Sequence, residues 1–320
     1  MIILLTGGAG FIGSHLTTRL LTLGHTVICL DNLDEFYSPA LKRSNVAPFH
    51  TNPAYAFVEG DIRDGALLDG VFAAWQPDAV VHLAAQTGVR PSVQDPAFYI
   101  DVNVQGTLQV LEAMRRAGVK KMVFGSSSSV YGNGAQTPFR ESEPGDMPLS
   151  PYAASKRAAE LLAHTYHHLY GMDIACLRFF TVYGPRQRPE MAISLFTNHI
   201  LNQQPITLFG GGITTRDYTY VDDVVSGIVK ALGRATGFVT LNIGGAQPIS
   251  LGCLVRLIEE AAGQTAIINW LPMQAGDVDH THADLTQARK LIGYEPTVPI
   301  QTGIRNVVAW FKAANVEAYS

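Results

Sequence analysis

Short runs of aliphatic and β-branched residues alternate with longer stretches of helical period through the first half of the chain. Ile2–Leu5 is wholly apolar and runs directly into glycines. From Phe11 to Leu23 the apolar positions recur with a helical period, which puts Phe11, Ile12, His15, Leu16 and Leu20 on one face. The strand signal returns at Val27–Leu30, Ala56–Glu59, Ala79–His82, Lys121–Phe124 and Ile174–Leu177. Between these runs the spacing predicts helices near 63–75, 95–117 and 151–171. Continuous apolar strands separated by helices predict a parallel sheet covered on both faces, an α/β, doubly wound arrangement.

After residue 180 the pattern loosens. Gly184-Pro185, Arg188-Pro189, Gly210-Gly211-Gly212 and Gly244-Gly245 break it, with helices expected near 192–203, 222–234, 250–263 and 299–313. The chain therefore divides into a sheet domain over 1–180 and a second, smaller substrate-binding domain over 181–320, with a segment near 215–245 returning to the first. There is no internal repeat and no low-complexity segment.

Composition narrows the classes. Hydrophobic residues make up 47% of the 320 positions and charged residues 16%, enough apolar material for full cores. A net charge of −4 gives no general basic field for nucleic acid or an anionic membrane. No apolar run reaches the roughly 20 residues of a membrane span. The opening MIILL has no basic region before it and no cleavage site after it, so no signal peptide is expected. Cys29, Cys176 and Cys253 lie far apart and form no CxxC, so neither a disulfide framework nor a zinc site is expected and a cytoplasmic protein fits. His164 and His168 stand one helical turn apart, but no third ligand lies at a matching spacing, so no metal is expected.

Candidate chemistry begins at Thr6-Gly7-Gly8-Ala9-Gly10-Phe11-Ile12-Gly13, between the first strand and the first helix. Gly7 permits a tight turn, Gly10 lets the backbone approach a pyrophosphate, and Gly13 lets the helix pack on the strand. The free N–H groups of a helix opening at Phe11 and Ile12 then face the phosphates. Asp31 ends the second strand, where a carboxylate accepts both ribose hydroxyls of adenosine and repels a 2′-phosphate. This pattern predicts a Rossmann domain that takes NAD rather than NADP. Asp61-Ile62 follows a third strand, where it touches the adenine or merely caps a helix.

Tyr152 and Lys156 form a YxxxK on one face of a predicted helix. Ser126-Ser127-Ser128-Ser129 follows the strand Lys121–Phe124 at its C-terminal end, where ligands bind in a doubly wound sheet. A free tyrosine titrates near pH 10, and a neighbouring ammonium favours the phenolate. A serine hydroxyl can hold the substrate oxygen while that phenolate takes a proton from an alcohol.

These residues resemble the extended short-chain dehydrogenase/reductase family over nearly the whole chain. The matching pieces include TGGAGFIGSHL at 6–16, Asp31-Asn32, GDIRD at 60–64, VHLAAQ at 81–86 and NVQGT at 103–107. They continue through SSSSVYG at 126–132, SPYAASK at 150–156, LRFFTVYGPRQRP at 177–189 and RDYTYVDD at 216–223. Within the family the chain is most similar to nucleotide-sugar epimerases, in particular UDP-glucuronate 4-epimerases. The resemblance implies a tightly held NAD, a UDP-sugar substrate and a homodimer built on the helices near 95–117 and 151–171. It implies Ser127 as the catalytic hydroxyl, cofactor contacts from Asn32, Asp61, Ile62, Asn103, Lys156 and the turn from His82 through Leu83, Ala84 and Ala85, and diphosphate and ribose contacts from Arg216 and Asp277. The family often carries an Arg three residues before that Asp; Gln274 stands there, and Arg188 is the candidate replacement.

Sister reactions in the family all begin by oxidising the sugar at C4. A 4,6-dehydratase carries Asp-Glu before its VYG; here Ser128-Ser129 occupy those places. A 4-epimerase needs no further acid or base. A 4-keto-uronate is a β-keto acid, and it loses CO₂ when the C5–carboxylate bond stands perpendicular to the ketone plane. Ser127, Ser128 and Thr181 are short hydroxyl donors suited to holding that carboxylate, and Thr181 stands where hexose epimerases commonly carry Asn. Arg186 and Arg188 face either the carboxylate or the phosphates. The expected activity is interconversion of UDP-glucuronate and UDP-galacturonate, with a UDP-glucose or UDP-GlcNAc 4-epimerase as the alternative. A catalytically silent dinucleotide-binding regulator is the alternative of another class, disfavoured because Ser, Tyr and Lys are all present.

Overall fold

The computed structural model describes residues 1–132, 136–272 and 280–313. Strands β1 (Ile2–Thr6), β2 (Thr26–Asp31), β3 (Tyr55–Glu59), β4 (Ala79–His82), β5 (Lys121–Ser127) and β6 (Asp173–Phe179) grow from the six apolar runs. The second half adds β7 (Thr181–Tyr183), β8 (Pro205–Phe209), β9 (Thr215–Tyr220), β10 (Phe238–Ile243), β11 (Pro248–Ser250) and β12 (Ile267–Leu271). Seven strands form a parallel sheet in the order β10-β6-β5-β4-β1-β2-β3. Its central residues, Ile3 to Leu5, Val27 to Leu30, Val80 and Val81, are fully buried. That is why they read as unbroken apolar runs rather than alternating ones. The chain winds outward from β1 to β3 and then restarts on the other side of β1 at β4, so a crevice opens at the carboxyl ends of β1 and β4.

The segment near 215–245 splits. β10 joins the large sheet beside β6, with Phe238 opposite Ile174. β9 does not; it lies between β7 and β11 in a three-stranded sheet, while β12 pairs with β8. β9 was illegible as a strand because its sequence, TRDYTY, carries Asp217 at its centre. That carboxylate is fully buried and accepts from the backbone N–H groups of Gly245 (2.7 Å), Ala246 (3.1 Å) and Ala283 (2.9 Å). It stands in for neighbouring backbone and pins two loops to the strand that carries Arg216.

The helix expected over 95–117 is interrupted. Pro96–Ile100 and Thr107–Ala117 flank a π-helical turn at Asp101–Gly106. The Asn103 side chain, in that turn, donates to the Gln86 carbonyl and accepts from the Gln86 N–H, and it also donates to Ser155 Oγ. These partners lie off the helix axis, which gives the local widening a cause. Among the described residues no helix is long and apolar enough to cross a membrane.

Asp217→Ala leaves three N–H groups without their acceptor, that of Ala283 buried and those of Gly245 and Ala246 partly so. At roughly 1 kcal/mol or more for each, urea unfolding should show a loss of about 3 kcal/mol, and Asp217→Asn, which keeps one acceptor oxygen, a smaller loss.

Candidate active site

A cavity of about 480 Å³ opens at the carboxyl ends of the central strands. At one end lies the glycine loop. Gly7 has φ +72°, and a Cβ there would fall 2.6 Å from the Ala84 nitrogen. A Cβ on Gly13 would fall 2.3 Å from the Gly7 oxygen, so the helix can start this close to the strand only without side chains. Gly10 precedes the helix Phe11–Thr22, and no side chain caps that helix, which leaves its first N–H groups facing the cavity. Asp31, 7% exposed, accepts from Ala9 N (3.0 Å) and Leu33 N (2.9 Å). Burial pushes its carboxyl pKa up, against those two hydrogen bonds and the Lys42 charge. Asn32 donates to Asp61 at 3.0 Å, and the Arg63 hydrogen bonds hold Asp61 below the usual carboxylate range. A glycine-lined helix start with a carboxylate beyond it fits a dinucleotide with a free adenosine ribose.

The turn after β4 forms the floor. His82 sits between Thr6 Oγ1 (2.6 Å) and Thr107 Oγ1 (3.0 Å), and burial pushes its pKa down to about 3, so it is a neutral spacer. Leu83, Ala84 and Ala85 line the cavity just beyond it.

At the other end the helix Pro151–Tyr170 begins with Ser150, whose hydroxyl accepts from Ala153 N, and with Pro151 in its first turn. This start puts Tyr152 in the first turn and Lys156 one turn later, both on the cavity wall. Lys156, 3% exposed, donates to the Gly125 carbonyl at 2.8 Å. Burial pushes its pKa down to about 8, against the Glu160 carboxylate, so it remains largely charged at neutral pH. Burial also pushes the Tyr152 phenol up, while a hydrogen bond with Ser127 and the Arg188 charge pull it down. Ser127 Oγ sits 3.1 Å from Ser129 Oγ at the end of β5.

Gly7, Gly10, Phe11, Ile12, Gly13, Asp31, Asn32, Asp61, Ile62, Ser127, Ser128, Thr181 and Arg188 all line this one cavity with Tyr152 and Lys156. Three expected residues are placed otherwise. Asn103 stands behind the wall, bracing Gln86 and Ser155. Arg186 does not line the cavity; after burial, its charge lowers the His15 pKa, and at Asp222 it opposes the upward push of burial. Arg216 is half-buried on β9, away from the lining, and donates to the Thr215 carbonyl. Asp277 and Gln274 lie outside the described residues. Sequence reasoning missed Asp34, Phe36, Tyr37 and Lys42, which wall the cavity beyond Asp31, and Thr87 and Met191. The acidic and aromatic run just after Asp31 was the available signal. Among the described residues no group of three or more metal-ligating side chains comes together.

Residues 3–244 match the NAD dependent epimerase/dehydratase family. The UDP-glucuronate 4-epimerase of Thermodesulfobacterium geofontis is 42% identical, over 98% of this chain and 97% of its own. The crystal structure of a UDP-glucuronic acid 4-epimerase from Bacillus cereus, in complex with UDP-glucuronic acid and NAD, superposes with a TM-score of 0.90 at 36% identity, covering 98% of this chain and 99% of that one. A UDP-glucose 4-epimerase from Thermotoga maritima gives the same TM-score of 0.90 at 34% identity, with 98% and 99% covered.

Ser127→Ala removes a hydrogen bond that lowers the Tyr152 pKa, so the phenol should titrate at higher pH than in the unaltered protein. An ultraviolet difference titration, with Tyr152→Phe as the blank that assigns the signal, checks the direction.

Proposed function

The chain belongs to the NAD dependent epimerase/dehydratase family, and from that premise we propose that it is an NAD-dependent 4-epimerase interconverting UDP-glucuronate and UDP-galacturonate. The observation that carries the reading is the cavity wall itself. Ser127, Ser128, Thr181 and Arg188 converge there with Tyr152, and no carboxylate stands at the dehydratase positions.

When bound, NAD supplies a reversible store for the hydride of sugar C4. The glycine loop and Asp31 hold it from one side. The body built on the seven-stranded sheet serves the cofactor, and the segments after residue 180, β10 and its preceding helix apart, serve the UDP-sugar. Tyr152 takes the proton of the C4 hydroxyl as the C4–H bond breaks and returns it after the 4-keto sugar has presented its other face. Ser127 holds the same oxygen. Lys156, anchored on Gly125, fixes the helix that carries the phenol. Thr181, Ser128 and Arg188 hold the substrate carboxylate near the ketone plane, where the bond to CO₂ has poor overlap with the carbonyl. Arg216, carried on β9, and Asp277 contact the diphosphate and ribose of the nucleotide.

A homodimer built on the helices near 95–117 and 151–171 is part of this reading, supported by exposed apolar side chains on them: Ile100 is 42%, Leu161 52% and Leu169 65% exposed. Cys29, Cys176 and Cys253 form no disulfide, as suits the cytoplasm.

NMR of the purified protein with UDP-glucuronate, UDP-galacturonate, UDP-glucose and UDP-xylose side by side tests the reading. UDP-glucuronate should give UDP-galacturonate with almost no CO₂, and cofactor released on denaturation should be NAD(H). Turnover of UDP-glucose far above UDP-glucuronate would overturn the substrate. Tyr152→Phe should lower the rate at least about a hundredfold, the range for a general base, with the fold intact by circular dichroism.

Thr181→Ala should do more than slow the enzyme. Each tenfold change in the ratio of decarboxylation to reduction needs only about 1.4 kcal/mol. The fraction of 4-keto-pentose product per turnover should therefore rise, read by NMR against the unaltered enzyme.

A further inference from the structure

Arg188 is held on the cavity wall by an aromatic ring and two uncharged acceptors. Its guanidinium lies 5.5 Å from the centre of the Phe36 ring. One terminal nitrogen, Nη1, donates to Thr87 Oγ1, and the other meets only Met191 Sδ at 3.5 Å, a weak acceptor, among the described residues. Placed this way, the cation would be fully available to an anion inside the cavity. It is not, because Nη1 also pairs with Glu190 Oε1 at 2.9 Å. The two side chains are unlike in setting. Arg188 is 19% exposed and lines the cavity, whereas Glu190 is 44% exposed and stands outside the lining.

The geometry points to Glu190 as a specificity-determining residue: its carboxylate engages Arg188 from the solvent side, and the carboxylate of an anionic sugar exchanges with it. This rests on the reading that the sugar is a uronate. A half-exposed ion pair is weak, so the exchange is easy, and two carboxylates cannot both use one guanidinium edge at full strength. Glu190 therefore weakens the hold on a uronate, substrate and product alike, and leaves a neutral sugar untouched.

Glu190→Gln keeps the length of the side chain and an acceptor oxygen but removes the competing charge. With NAD-loaded enzyme, KM and kcat are measured for UDP-glucuronate and for UDP-glucose, at low and at raised salt. The KM for UDP-glucuronate should fall roughly two- to fivefold, the span of a surface ion pair, without a rise in kcat. The KM for UDP-glucose should stay in place, and the gain should shrink with salt. A residue that merely supported the loop would raise KM when removed. An unchanged or raised KM for UDP-glucuronate, or an equal fall for both sugars, overturns the role of Glu190 and leaves the proposed substrate standing. Turnover of UDP-glucose alone by the unaltered enzyme overturns both.

Discussion

The site depends on how one buried ammonium is tolerated. Lys156 lies out of water, and a charge taken there without partners costs several kcal/mol. Its Nζ–H donates to the Gly125 carbonyl, and one turn further along the same helix Glu160 supplies a carboxylate. Glu160 is itself 1% exposed and accepts from Ser126 Oγ at 2.6 Å, from Arg178 through two bonds of 2.9 and 2.8 Å, and from Arg157 at 3.0 Å. These bonds tie the helix Pro151–Tyr170 to the ends of β5 and β6. Tyr152, Lys156 and Glu160 follow one another at four-residue intervals on one face, so the bonds that make the buried charges tolerable also set the phenol beside Ser127. Stability and catalytic geometry cannot be varied separately along this face.

What was legible in the sequence follows the same division between covered and uncovered structure. Strands buried on both faces announce themselves as apolar runs; five of the six in the first half match within two residues at either end, and β5 runs three further, through Gly125 and Ser126 to Ser127, where the run turns polar. The glycine loop was legible because each glycine answers a backbone contact that a side chain would block, at 2.6 Å for Gly7 and 2.3 Å for Gly13. β9 was not legible, because Asp217 does work there that backbone usually does. Asn103 shows the limit of motif reading. It belongs to a matching motif, yet its amide is spent on Gln86 and Ser155 rather than on the cavity. A motif marks which residues a site needs; only geometry separates those that touch a ligand from those that hold the first group in place. Arg186 and Arg188, two positions apart in one loop, make the point again. Arg186 has φ +65°, and of the two only Arg188 lines the cavity, while the charge of Arg186 acts on Asp222.

The phenol raises a last physical question. Burial pushes the Tyr152 pKa up, which favours the neutral form and opposes its use as a base. A bound cofactor and sugar would displace the water that otherwise screens every charge nearby. The two effects do not cancel. Desolvation acts on the phenolate at all times, whereas the pull of a cation grows as the medium around it becomes less polar. With ligands in place of water, Arg188 therefore counts for more than it would in water, and the Ser127 hydrogen bond adds to it. Basicity in this site is conditional on positive charge gathered around the phenol. One cation that orders an acidic sugar and also favours the phenolate couples the two requirements: as its charge is neutralised by a carboxylate, the phenol loses part of its support. A uronate site must balance the two, which is a reason for hydroxyls such as Ser128 and Thr181, donors without charge, to share the carboxylate with Arg188.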